Sequence, residues 1–154
     1  MTEVITTNEK PSPVDLTGQV ERPRLLAFLF ADYAETTVSG KAVVAGVFDR
    51  LFLQPDKATS FYIYVRIAQA AESPIVVTIL DPMGNSLGNM ILKMPDDAVI
   101  KAVPAYMQAA MQIAIPLSEP GLYWFSVMYK GSELGLIPLQ VDPVPEESNG
   151  TARG

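Results

Sequence analysis

The 154-residue chain has no cysteine and no histidine. Without cysteine there is neither a disulfide framework nor a thiolate metal site. Without histidine the commonest general base and the commonest metal ligand are missing, and with them any Ser-His-Asp or Cys-His arrangement. Basic residues are also scarce: 11 Lys and Arg stand against 17 Asp and Glu, a net charge of -6. Nonspecific nucleic-acid binding and adhesion to anionic membranes both draw on Lys and Arg, so this balance disfavours them. No apolar run reaches the roughly 18 residues of a membrane helix. Met1–Lys10 has no basic region ahead of an apolar run, so no secretory signal is read there. The expectation is a soluble, cytoplasmic protein that binds neither nucleic acid nor membrane.

Apolar residues are plentiful. They make up 49% of the chain against 18% charged, enough for a core in a chain of single-domain size. Met1–Pro23 has three prolines and few large apolar residues, and it reads as a disordered arm. Residues 143–154 are rich in Pro, Glu, Ser and Gly and read as a disordered tail. One domain is expected between them, over 24–142.

The stretch Pro120–Gly131 organises that domain. Tyr123, Phe125, Val127 and Tyr129 alternate with Leu122, Trp124, Ser126 and Met128, which predicts a central strand with one apolar face. Ser118–Gly121 forms the turn before it. Lys130–Ser132 forms a hairpin loop after it, leading to a last strand over Glu133–Val141. Pro138 lacks an amide donor, which puts that strand at an edge or beside a bulge.

The remaining segments are also short and separated by turns. Arg24–Asp32 is apolar on both faces, with Leu25, Ala27 and Leu29 on one and Leu26, Phe28 and Phe30 on the other. Ala42–Leu53 is strand-like, with Gly46 at a bulge or a close backbone approach. Thr59–Gln69 turns Phe61, Ile63, Val65 and Ile67 inward and Tyr62, Tyr64, Arg66 and Ala68 outward. Ile75–Leu80 and Ser86–Met94 form a hairpin around Asp81-Pro82-Met83-Gly84-Asn85. Pro95–Val103 is a crossover or a single helical turn. Tyr106–Leu117 has helix-favouring Ala, Met and Gln, yet its apolar residues alternate, and the alternation predicts a strand. About eight strands joined by Gly and Pro turns predict an all-β fold, a two-sheet antiparallel sandwich with flexible termini.

Some segments carry a resemblance. Ala31-Asp32-Tyr33-Ala34, Gly40-Lys41, Ala45-Gly46-Val47-Phe48-Asp49 and Phe61-Tyr62-Ile63 occur in that order, and Pro120, Gly121, Tyr123 and Phe125 form a Pro-Gly-x-Tyr-x-Phe segment. Together they resemble a small bacterial family of β-sandwich proteins of unknown function. The resemblance implies a sandwich and supplies no activity, cofactor or site residue. Tyr123 also looks like the tyrosine corner of immunoglobulin-like domains, though the Cys-Trp-Cys core of antibody domains is absent.

No catalytic motif emerges, and a non-enzymatic module without a cofactor is expected. Asp32, Asp49, Asp56, Asp81 and Asp96-Asp97 could gather at one end of a sandwich to hold Ca²⁺, but no calcium-loop spacing is present. The aromatic residues point elsewhere. If the strands bearing Tyr62, Tyr106 and Leu122 are neighbours, Tyr62, Tyr64, Arg66, Tyr106 and Trp124 share one outward face. Tyr, Trp and Arg are the usual anchors of binding energy. The expected partner is another protein or a second copy of the chain. The alternative is a carbohydrate or other small ligand stacked on the rings.

Overall fold

The structure is a computed structural model and describes residues 23–54, 58–68, 74–92, 99–100 and 106–145. Most of the expected arm and tail, the Pro95–Val103 crossover apart from its two strand residues, and Asp56, Asp96 and Asp97 lie outside these residues.

Among the described residues every element is a strand. In chain order these are β1 (Arg24–Thr36), β2 (Ala42–Phe48), β3 (Arg50–Phe52), β4 (Thr59–Ala68) and β5 (Ile75–Leu80), followed by β6 (Ser86–Leu92), β7 (Val99–Ile100), β8 (Tyr106–Ile115), β9 (Gly121–Tyr129) and β10 (Ser132–Asp142). They form two five-stranded sheets, ordered β2-β1-β4-β8-β7 and β3-β10-β9-β5-β6. The expected count of about eight is exceeded by the two shortest strands, β3 and β7. Neighbouring strands are antiparallel except β3 and β10, which run parallel.

Phenylalanines join the layers. Phe30 on β1 meets Phe125 on β9 edge to face at 4.9 Å, and Phe28 and Phe61 lie 5.6 and 5.8 Å from Phe30. Phe61, Ile63, Val65 and Ile67 are all buried, as are Tyr123, Phe125, Val127 and Tyr129. Each fully buried side chain of this size stabilises the fold by about 1.5–3 kcal/mol. Strand β9 is third of five in its sheet, with β10 and β5 beside it. Tyr106–Ile115 is a strand paired along its whole length with β4, so alternation outweighed helix propensity there.

Two expectations are corrected. The alternation of β1 breaks at Leu26, because a bulge falls between Leu25 and Ala27. One extra residue shifts the phase by one, so Leu25 joins the core while Leu26 is 52% exposed. The expected single strand Ala42–Leu53 is two strands in different sheets, parted at Asp49. The Asp49 carbonyl accepts the Gln140 amide at 3.0 Å, and the Leu53 amide donates to the Asp142 carbonyl at 2.9 Å. The segment thus leaves one layer and closes the end of the other.

Gly46 is where a close approach occurs. It has φ near +70° and lies between the cross-strand pairs Ala31–Val47 and Tyr33–Ala45, opposite Asp32. A Cβ at this position would collide with the Asp32 carboxylate. Pro138 behaves as its chemistry demands. The Gln140 amide points away from β9 towards Asp49, so by period two the missing amide of Pro138 falls on the same outer side.

Candidate functional site

Four of the five predicted interaction residues lie together. On the outer face of the β2-β1-β4-β8-β7 sheet, Tyr64 pairs with Ala110 and Arg66 with Gln108, while Tyr106 closes the row opposite Ala68. The Tyr64 hydroxyl donates to Gln108 Oε1 at 2.7 Å, and Arg66 donates from Nε to the Tyr64 hydroxyl and from Nη2 to Gln108 Oε1, both at 3.0 Å. Gln108 Nε2 donates in turn to the Gly40 carbonyl at 2.8 Å, so the β1–β2 hairpin loop reaches the outer face. The Arg66 guanidinium lies 4.4 Å from the centre of the Tyr106 ring. Tyr62 stacks obliquely on Tyr33 at 5.3 Å.

The Tyr64 hydroxyl and the Gln108 amide oxygen are paired within this cluster. Tyr64 and Gln108 are buried and Arg66 is partly buried. The charge of Arg66 is held by a hydroxyl, an amide oxygen and a ring face, each a good partner for a planar guanidinium. Tyr33, further along, donates its hydroxyl to Glu35, and the acceptor carboxylate pushes the phenol pKa up.

Trp124 is elsewhere, which corrects the expectation of one shared face. Its strand β9 belongs to the other sheet, between β10 and β5, so the rings divide between opposite outer surfaces. Period two assigns a side chain to the inside or the outside of a strand but not to a particular sheet. Around Trp124 the outward residues are Leu122 and Met128 on β9, Leu136 and Pro138 on β10, Val76, Thr78 and Leu80 on β5, and Ile91 on β6. Trp124 and Met128 are half-buried, whereas Leu136 and Ile91 are 45% and 61% exposed. Ser126, between Leu136 and Thr78 in the middle of this face, is buried and donates to the carboxylate of Glu133 at 2.9 Å. Glu133 thus brings a charge into the face, and the Arg50–Asp142 ion pair at 3.1 Å flanks the end near Leu122.

Other carboxylates are dispersed. Among the described residues no group of three His, Cys, Asp or Glu side chains is placed to hold a metal ion. Asp81 is occupied in its turn, accepting the Met83 and Asn85 amides at 2.9 and 2.8 Å, and the Asn85 amide holds its pKa below the ordinary carboxylate value.

The core tyrosine of β9 defines the class. Tyr123 is buried, and its hydroxyl donates to the Glu119 carbonyl four residues upstream at 2.6 Å. Burial raises its pKa, partly opposed by the Glu119 backbone amide. This corner, the two facing sheets and a short strand parallel to the last one make the protein an immunoglobulin-like β-sandwich. A model for a family of unknown function (DUF6941) matches residues 26–142, and the chain belongs to that family. Among solved structures, an immunoglobulin-like protein from Pseudomonas aeruginosa is similar at 12% identity and a TM-score of 0.46, over 79% of this chain and 98% of that one. No curated protein matches.

Proposed function

We propose that the protein is a non-enzymatic interaction module that pairs with a second copy of itself through the outer face of the Trp124 sheet. The observation that carries this reading is the apolar strip of Trp124, Met128, Leu136 and Ile91 on a chain of net charge -6, with one carboxylate among them, Glu133, tied to Ser126. Two such chains repel at long range. They approach most cheaply over their apolar strips, where Trp124, Met128 and Leu136 would lose water against their counterparts while each Glu133 stays bound to its own Ser126. A stable interface buries roughly 800 Å² per partner and concentrates its energy in a few aromatic anchors. Trp124 is the anchor this face offers. The Tyr64–Arg66–Gln108 cluster ties its hydroxyl and amide oxygen within the chain and offers a partner chiefly the remaining N–H donors of Arg66.

Sedimentation velocity on the full chain tests the reading. Dimer should form at micromolar concentration and strengthen as salt rises, because salt screens the repulsion between two acidic chains while leaving apolar burial intact. Trp124→Ala and Leu136→Lys should each weaken the dimer at least tenfold and leave the thermal transition of the domain cooperative. A monomer at all salt concentrations, or a dimer that salt dissociates, would overturn the proposal.

A further inference from the structure

One side of the sandwich is open. Strand β1 pairs with β4 from Arg24 onwards, but β2 joins its other side only from Phe30. In the facing sheet β3 joins the outer side of β10 only at Gln140–Asp142. Among the described residues no strand therefore lies beside Arg24–Leu29 or beside Ser132–Leu139 on that side. The two bare stretches face each other. Leu25 lies over Gly135, where an added Cβ would meet its methyl group. Beyond this contact a cavity of about 370 Å³ opens to the side. Phe28, Leu29 and Phe30 of β1 face Ile137 and Pro138 of β10 across it, and Val47–Asp49 close the far end. Asp49 is the one charged residue of the lining, and it is exposed. Leu29, Phe48 and Ile137 are only partly buried, and Leu26, within the bare stretch of β1, is exposed.

A bare strand edge beside an apolar hollow is a template for one more strand, whose backbone pairs with the edge while alternate side chains fill the hollow. The chain carries a segment of the right chemistry and reach. Pro23, which leads into β1, lines the neighbouring recess with Leu25, Glu133 and Leu134, and twenty-two residues precede it. Val14, Leu16 and Val20 are the large apolar side chains among the last of these. Leu16 stands seven residues before Pro23 and Phe30 seven after it. A chain that turns back at Pro23 thus brings Leu16 level with the cavity, roughly 23 Å from the turn at strand spacing. It brings Val20 level with Leu26. The residues after β10 fit less well: beyond Pro145 they include Glu146 and Glu147 and no apolar side chain larger than alanine.

We propose that Leu16–Val20 docks in extended form along the bare stretch of β1, with the Leu16 side chain in the cavity between Phe30 and Ile137. Tethering at Pro23 holds the segment at an effective concentration of about a millimolar, so a contact too weak to retain a free peptide suffices. The docked segment would cover the open side of the core without a second copy of the chain.

The test uses the full chain, whose lack of cysteine makes one introduced thiol the only labelling point. A nitroxide on Thr17→Cys points away from the cavity when Leu16 points into it, because neighbours in a strand alternate. In the ¹⁵N-labelled protein it should broaden the amides of Phe28, Leu29 and Ile137 severalfold more than those of β6, at the far edge of the facing sheet. Leu16→Asp should abolish this broadening and leave only residues beside Pro23 affected, whereas Val4→Asp should not change it. A mixture of ¹⁵N-labelled untagged chain with unlabelled tagged chain should show no broadening at the cavity. Every sample carries Trp124→Ala, which removes the dimer contact proposed above, so the two readings fail separately. Broadening confined to the neighbours of Pro23, spread evenly over the surface, or indifferent to Leu16→Asp would overturn the proposal. So would broadening of the cavity amides in the mixture, which would assign the segment to a second copy.

Discussion

The Tyr123 hydroxyl and the Glu119 carbonyl, 2.6 Å apart, tie the turn that leads into β9 to the strand itself. The ring is buried while the oxygen reaches back out of the core to the chain. Tyr123→Phe keeps the ring and leaves the carbonyl without its donor. It should destabilise the domain by about 1–2 kcal/mol. Urea unfolding should show a lower midpoint with an unchanged slope.

Asp32 and Gly46 form a second such pair across β1 and β2, and they can be tested jointly. Gly46→Ala adds a methyl where the Asp32 carboxylate lies, at a φ that side chains avoid. Together these should cost about 2–3 kcal/mol. In an Asp32→Ala background only the backbone part remains, about 1–2 kcal/mol. Thermal unfolding of the four proteins of this cycle gives the coupling directly. Equal costs in both backgrounds would show that the carboxylate does not crowd the glycine.

The Tyr64 cluster should behave as structure rather than as a docking surface. Tyr64→Phe withdraws the hydroxyl from both Arg66 and Gln108. A loss of about 1–2 kcal/mol is expected on chemical denaturation, with the monomer–dimer constant unchanged in sedimentation. A weakened dimer in this variant would move the interface to the opposite sheet.

Acid should weaken the Asp81 turn in a defined direction. The folded-state pKa of Asp81 is lowered from 3.8, chiefly by the Asn85 amide. Such a group contributes stability that is present above the unfolded value and is lost as pH falls through the depressed one. Asp81→Asn keeps an acceptor for the Met83 and Asn85 amides but does not titrate. The stability difference between wild type and this variant should therefore be constant near neutrality and shrink below pH 3.8. A difference that stays flat down to about pH 2 would show that the hydrogen bonds do not favour the ionised form.

The strands were legible in the sequence wherever one face is buried. Phe61 to Ile67 and Tyr123 to Tyr129 alternate because the pleat sends every second side chain inward, and all of these residues are buried. The strand at Tyr106–Ile115 could be read despite its helix-favouring composition for the same reason. The neighbours of each strand could not be read. The strands of Tyr62 and Trp124 have equally apolar inner faces, and either pattern suits either sheet. Thus Tyr62, Tyr64, Arg66 and Tyr106 were grouped correctly with one another, and Trp124 was grouped with them when it belongs across the core. The bulge at Leu26 was hidden too, because Leu25 and Leu26 are the same residue and only their exposure differs. That Asp32 is the residue Gly46 approaches could not be read either, because the two lie on different strands and the sequence does not give their register.

The crossing at Asp49 has a mechanical consequence. Phe48 is held by β1 in one layer, and two residues later Arg50 is held by β10 in the other. Such a short stitch cannot lengthen, so one layer cannot creep over its neighbour without unzipping both ladders together. The Phe30–Phe125 contact beneath is thereby kept in a single alignment, and the interior is spared the sliding disorder to which two stacked sheets are otherwise open.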